Sequence, residues 1–403
     1  MSDMAASASI TTPPHEVDEC RGVLRVYSDV SIWRSSKPSF NVPVNDDGSI
    51  LWKDIVFDPV HDLQLRLYKP ASPSSPKLPV FYYIHGGGFC IGSRAWPNCQ
   101  NYCFRLASNL QAVVISPDYR LAPENRLPAA IEDGFMAMKW LQSQALANNP
   151  DPWLTDVADF SKVFISGDSA GGNIAHNLAV QLGAGSLDLA PVLVRGYVLL
   201  APFFGGTVLT RSEAEGPKDA FLNLELIDLA SNLINKPRST KRDIFMKHSI
   251  SYIPKTPNDH KKEFEEAVLK ELLWERDNLV KHASPFHVQN LTTDIYGMLL
   301  ELFWRLSVPM GETTDHPLIN PFGPVSRHLE QVNLDPILVV VGGNDLLKDR
   351  GKEYAERLKN WGKKIEYVEF EGQQHGFFTI DPNSEPAKAL MVIIKRFIVE
   401  NSS

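Results

Sequence analysis

Gly167-Asp168-Ser169-Ala170-Gly171-Gly172 places a serine where only small neighbours fit. The apolar run Val163-Phe164-Ile165 before it reads as a buried strand. After it, Asn173–Leu182 carries Ile174, Leu178 and Leu182 at helical spacing, with Ala175 and Ala179 widening the same stripe. Strand, tight turn and helix form the setting of a G-x-S-x-G nucleophile elbow. Flanking side chains would collide in so sharp a turn, and Gly167 and Gly171 relieve that crowding. Ser169 is thereby expected above a sheet, at a helix N-terminus that favours developing negative charge.

A glycine-rich turn after a strand is often only a turn, so a nucleophile needs corroboration elsewhere in the chain. His85-Gly86-Gly87-Gly88 follows the expected strand Val80–Ile84. Successive glycines let main-chain N–H groups approach a reacting carbonyl and cradle its oxyanion, and the amide of Ala170 would add another donor. A dinucleotide-binding loop fails on spacing, because a glycine repeat beginning at Gly86 would need glycine where Ile91 stands.

Two further groups complete the chemistry. Pro336–Val341 reads as a strand that delivers Asp345 to the loop after it. Ile365–Phe370 reads as another, with His375 just beyond it. Serine, acid and histidine in that chain order suit acyl transfer. The imidazole takes the serine proton near neutral pH and returns it to the leaving group, while the carboxylate holds its tautomer. Asp349 sits where a helix begins and is expected to serve its first turn. Asp168 is expected to be structural. His176 lies about two turns beyond Ser169, roughly 10 Å along the helix, out of reach of the hydroxyl. His85 is expected to brace the glycine loop. No H-E-x-x-H or Cys/His spacing suggests a metal, and no cofactor is expected.

The 403 residues are 43% hydrophobic and 22% charged, ordinary for a protein with a sizeable core. A net charge of -8 argues against nucleic-acid or anionic-membrane partners. No apolar stretch approaches the ~18 residues of a membrane span, and the first residues lack a signal-peptide pattern. Cys20, Cys90, Cys99 and Cys103 are too few and too clustered for a secreted disulfide framework. A cytoplasmic protein follows, with the nucleus also open to it. Residues up to about Pro14 read as disordered.

Further strands are expected at Leu51–Phe57, Leu63–Tyr68, Ala112–Pro117 and Leu193–Leu200, and helices at Asn98–Leu110 and Ala129–Ala147. Paired strands first and strand–helix alternation later imply a mostly parallel sheet of about eight strands with helices on both faces. Leu229–Leu302 breaks the rhythm, being charge-dense and free of glycine until Gly297. Within it, Lys236–Arg242 reads as a solvated basic loop. Asn258–Val280 reads as an amphipathic helix with Phe264, Val268 and Leu272 on one face.

His85-Gly86-Gly87-Gly88-Phe89, Asp118-Tyr119-Arg120-Leu121-Ala122-Pro123-Glu124, Gly167–Gly172, Asn320-Pro321 and His375-Gly376-Phe377-Phe378 together resemble the plant carboxylesterases. That family is similar to the hormone-sensitive-lipase group and the gibberellin receptors. The resemblance runs from about Glu19 to Ile398. It implies an α/β-hydrolase fold with Ser169 as nucleophile, His375 as base and Asp345 as acid. It also implies an oxyanion hole from Gly86, Gly87, Gly88 and Ala170, and a structural role for Asp118–Glu124. A lid from residues 1–44 and a helical cap between Phe203 and Pro321 would overlie a single domain at 45–403. The charged segment departs from the family, which runs almost directly from Phe221–Asp228 to Phe303–Gly311. An enlarged cap and translated intron sequence both fit that departure.

Phe89, Trp96, Phe203, Phe204 and Phe377 lie beside the motif loops and are candidates to line an apolar acyl or alcohol pocket. The implied activity is hydrolysis of small, largely apolar carboxylic esters, with plant hormone or metabolite esters and lactones among them. A receptor of the gibberellin type, which resembles the family but has lost the catalytic histidine, is the alternative, and His375 speaks against it. A lyase or cyclase reusing the pocket is a third reading.

Overall fold

The central strand-forming runs, such as Leu78–Ile84 and Ile337–Gly342, are apolar on both faces, and each face finds its own helices. The computed structural model describes residues 13–20, 22–38, 42–185, 188–215 and 300–402. The expectations for the disordered start at residues 1–12, the basic run Lys236–Arg242 and the helix Asn258–Val280 lie outside the described residues.

Eight strands form the central sheet: β4 (Ile50–Asp58), β5 (Leu63–Pro70), β6 (Leu78–Ile84), β7 (Val113–Pro117), β8 (Ala158–Asp168), β9 (Val194–Leu200), β10 (Ile337–Gly342) and β11 (Ile365–Phe370). Their order is β11-β10-β9-β8-β6-β7-β5-β4. β4, β5 and β7 pair antiparallel, and the remaining pairs are parallel. A separate three-stranded antiparallel sheet comes first, from β1 (Glu16–Cys20), β2 (Leu24–Tyr27) and β3 (Ile32–Arg34).

The two-residue period of a strand divides the core into two layers. Val80, Tyr82 and Ile84 of β6 join Val163 and Ile165 of β8 on one face, against Ile131 and Met138 of helix Ala129–Leu146 and Ile174 and Leu178 of helix Ala170–Gly183. Phe81, Tyr83 and Phe164 join Val198 and Val340 on the other. There they meet Leu106 of helix Pro97–Leu110 and Leu390, Ile394 and Phe397 of helix Glu385–Asn401. A parallel sheet covered on both sides leaves its loops, beyond the strand carboxyl ends, free to carry chemistry. All four cysteines are buried, and none forms a disulfide among the described residues.

The last residues of the charged segment are not outside the fold. Residues 300–307 are helical, Leu302 packs against the core and Leu300 faces the main cavity. The C-terminal end of the atypical stretch therefore contributes apolar side chains to the core and to the cavity wall.

Candidate active site

β8 runs straight into the serine turn. Ser169 has φ 51° and ψ -116°, a positive φ that costs a non-glycine residue on the order of 1–3 kcal/mol. Hydrogen bonds hold it there. Its N–H donates to Leu200 O at 2.9 Å, and its carbonyl accepts from Phe203 N at 2.9 Å and Asn173 N at 3.1 Å. A methyl at Gly167 would lie 2.2 Å from Gly171 O, and one at Gly171 would lie 2.1 Å from Ile84 O. Both glycines are therefore required by backbone crowding between the turn, the helix and β6. Helix Ala170–Gly183 begins at the next residue.

The loops after β10 and β11 are tied to each other by Gly343 N to Phe370 O and Asn344 N to Gln373 O, each 2.8 Å. They bring His375 Nδ1 to 2.8 Å from Asp345 Oδ2. A carboxylate can only accept, so Nδ1 carries the hydrogen and the lone pair of a neutral ring sits on Nε2. The other oxygen, Oδ1, accepts from Leu347 N at 2.9 Å. Asp345 is buried at 2% exposure, and the imidazole is the side chain that it meets. Asp349 lies in the first turn of helix Lys348–Asn360 and accepts from Ser212 N at 2.7 Å, turned to another element.

Ser169, Asp345 and His375 line one cavity of about 380 Å3, together with Gly86, Gly87 and Gly88. Gly87 has φ 114° and Gly88 φ 58°. A methyl on Gly87 would strike Ile91 O at 2.0 Å, and one on Gly88 the Phe303 ring at 2.2 Å. His85 Nδ1 donates to Gly86 O at 2.7 Å and its ring stacks on Tyr119 at 4.4 Å, so it braces this loop. Gly86 lies against Asp168, where a methyl on it would meet the carboxylate at 2.5 Å.

Asp168, expected to be structural, lines the cavity with Tyr83, which the motifs did not single out. The tyrosine hydroxyl donates to Asp168 Oδ1 at 2.6 Å. Burial pushes the Asp168 carboxyl up, and the hydrogen bond from Tyr83 opposes that shift. The signal was faint: Tyr83 is one of several aromatics in β6, and only the pairing of β6 with β8 brings it to Asp168. His176, far from the cavity, bonds Tyr354 Oη at 2.9 Å, and burial lowers its pKa to about 3.

Of the five aromatic candidates, Trp96 and Phe203 line the cavity. The other three are displaced from that role. Phe89 is buried behind Phe203 and Trp304, with ring centroids at 6.0 and 6.2 Å. Phe204 packs on His176 and Tyr354, and Phe377 on Phe370 and Phe378. Nearness to a motif along the chain does not set side-chain direction, and successive residues such as Phe203 and Phe204 face opposite ways. Phe303, Ile91 and Leu300 supply the apolar wall instead.

The family described as the alpha/beta hydrolase fold matches residues 81–256 and 282–379. The chain belongs to this family. The expected α/β-hydrolase core, with its mostly parallel eight-stranded sheet, is what the structure displays. Among relatives, the chain is similar to 2-hydroxyisoflavanone dehydratase of Glycyrrhiza echinata, at 32% identity over 98% of this chain and 100% of the relative. It is also similar to Carboxylesterase 20 of Arabidopsis thaliana, at 31% identity over 86% of this chain and 84% of the relative. A solved hyperthermophilic esterase from Pyrobaculum calidifontis superposes with a TM-score of 0.58 at 25% identity, covering 89% of this chain and 84% of the esterase. Among the described residues no helix is long and apolar enough to cross a membrane, and no cluster of His, Cys, Asp or Glu is arranged to hold a metal.

Proposed function

We propose that this α/β-hydrolase is a serine carboxylesterase acting on small, largely apolar esters. The observation that carries the reading is the 2.8 Å bond between His375 Nδ1 and Asp345, which leaves Nε2 as the basic nitrogen in the cavity shared with Ser169. Ser169 Oγ attacks the ester carbonyl as His375 takes its proton. The tetrahedral oxyanion is met by the amides of Gly87, Gly88 and Ala170, and the helix starting at Ala170 adds its positive end. His375 then protonates the departing alcohol, and water enters by the same route to release the acid. The substrate is a small molecule, because the cavity volume lies within the ~300–1,000 Å3 of ordinary ligand sites and Trp96, Phe203 and Phe303 make its wall apolar.

p-Nitrophenyl acetate is expected to be turned over by the wild-type chain, and Ser169→Ala to lower kcat by about 10⁴-fold or more. A folded wild-type sample that releases no p-nitrophenol would refute the reading. Activity on a dehydratable substrate that survives Ser169→Ala would instead mark proton abstraction by His375, the chemistry suggested by the name of the dehydratase relative.

A further inference from the structure

Arg34 ends the last strand of the N-terminal sheet, 135 positions before the serine turn, yet its side chain reaches the glycine loop. Its Nη1 donates to Cys90 O at 2.7 Å, and its Nη2 to Ala122 O at 2.7 Å. Nε and Nη2 meet the two oxygens of Glu124 at 2.7 and 2.6 Å. Every nitrogen of the guanidinium is thus engaged, on two chain segments at once. Those segments are themselves joined, since Ala122 N donates to Phe89 O at 2.9 Å.

The place gripped is where the loop turns back. Gly87, Gly88 and Phe89 all have positive φ, at 114°, 58° and 63°, and Cys90 and Ile91 close the turn by donating to Gly87 O. Such a run does not hold itself, because Gly87 and Gly88 can adopt many backbone conformations and Phe89 is strained at its positive φ. Outside contacts must fix it, and the planar fork of arginine suits fixing several carbonyls at set angles. The ion pair contributes little by itself, as Arg34 and Glu124 side chains are 28% and 36% exposed. Its role is directional: Glu124 orients the guanidinium so that Nη1 and Nη2 meet the two carbonyls.

The same sheet holds the opposite wall. Asp18 of β1 accepts from both Nη atoms of Arg305, at 2.7 and 2.5 Å, on the helix that carries Phe303. Arg126, just beyond the Ala122–Glu124 turn, donates to Arg305 O and Val308 O at 2.7 Å each. Phe303 packs so closely on Gly88 that no side chain fits between them.

We propose that Arg34 is a positioning residue for ester hydrolysis, and that the N-terminal sheet sets the oxyanion loop and its facing wall through the Arg34–Cys90, Arg34–Ala122 and Asp18–Arg305 contacts. This rests on the esterase reading above, with Gly87 and Gly88 as oxyanion donors. Arg34 touches no reacting atom; it holds the turn that aims those donors. Lysine, a point charge without the fork, cannot span Cys90 O, Ala122 O and Glu124 together.

The test compares wild type, Arg34→Lys and Glu124→Gln, with active sites counted by stoichiometric phosphorylation of Ser169 by diethyl p-nitrophenyl phosphate. A displaced donor costs less than a deleted one, so kcat per titrated site for p-nitrophenyl acetate is expected to fall about tenfold or more in Arg34→Lys. KM and the pH midpoint of kcat/KM stay at their wild-type values. Inactivation by the organophosphate slows by a similar factor, since its phosphoryl oxygen uses the same donors. Glu124→Gln keeps one acceptor and is expected to lose about threefold. A purely structural Arg34 would lower the melting temperature and the number of titratable sites while leaving kcat per site intact. That result overturns the assignment. Should Arg34→Lys not fold, unchanged kcat per site in Glu124→Gln overturns it equally. A wild-type chain that neither titrates nor turns over ester refutes the esterase reading, and this one with it.

Discussion

A carboxylate next to an imidazole and a carboxylate at a helix start look alike in sequence, and their partners separate them. Asp345 spends one oxygen on Leu347 N and the other on His375 Nδ1, whereas Asp349 accepts from Ser212 N. Asp345→Asn preserves the shape of the group but presents an amide that cannot enforce the Nδ1–H tautomer. It is expected to lower kcat by about 10⁴-fold with the fold intact. Asp349→Asn weakens a first-turn contact worth about 1 kcal/mol and leaves kcat nearly unchanged. Steady-state kinetics on the two variants checks the ranking, and the reverse order would transfer the acid role to Asp349.

Between elements, the contact of helix Ala170–Gly183 with helix Lys348–Asn360 carries a pH signature. His176 is buried, bonded to Tyr354 Oη, and its pKa is lowered from 6.5 to about 3 by desolvation. The unfolded chain therefore binds a proton that the folded chain refuses. Stability from this site is complete above about pH 6.5 and is lost as pH falls toward 3. His176→Gln, which does not titrate, is expected to be less stable at neutral pH through lost packing, yet to show a shallower fall in melting temperature between those limits. An unchanged slope would place the acid sensitivity elsewhere. The same element scale shows what could be read in advance. Strands such as Ile365–Phe370 and helices such as Pro97–Leu110 were legible because long apolar periodicity survives any tertiary context. The serine turn was legible because crowding demands Gly167 and Gly171 whatever surrounds them. The strands β1 to β3 were not, because runs of three to five mixed residues carry no period of their own. Nor were the wall positions. Whether Phe203 or Phe204 faces the cavity depends on the backbone where the chain leaves β9, and Tyr83 meets Asp168 only through strand register.

At the scale of the whole molecule, residues about 200 positions apart share one cavity, and the charged segment lies in the chain between them. The family match stops at 256 and resumes at 282, so residues 257–281 lie inside that segment and outside the family pattern. The wall needs Leu300 and Phe303 and the core needs Leu302, all of which follow the gap. Removing 257–281 is therefore expected to keep the melting temperature and kcat per active site near wild type. Removing Leu229–Leu302 takes Leu300 from the wall and Leu302 from the core. Both leucines are half-buried apolar contacts, so the longer deletion should melt lower and bind apolar esters less tightly, with a raised KM. Thermal melts and ester kinetics on the two deletions check this together. If the short deletion abolishes the fold, the segment is integral to the domain and an enlarged cap is the reading that remains. If it leaves fold and turnover intact, the catalytic machinery is independent of those residues, as expected of a site built from strand ends and held at its outer rim by Arg34 and Arg305.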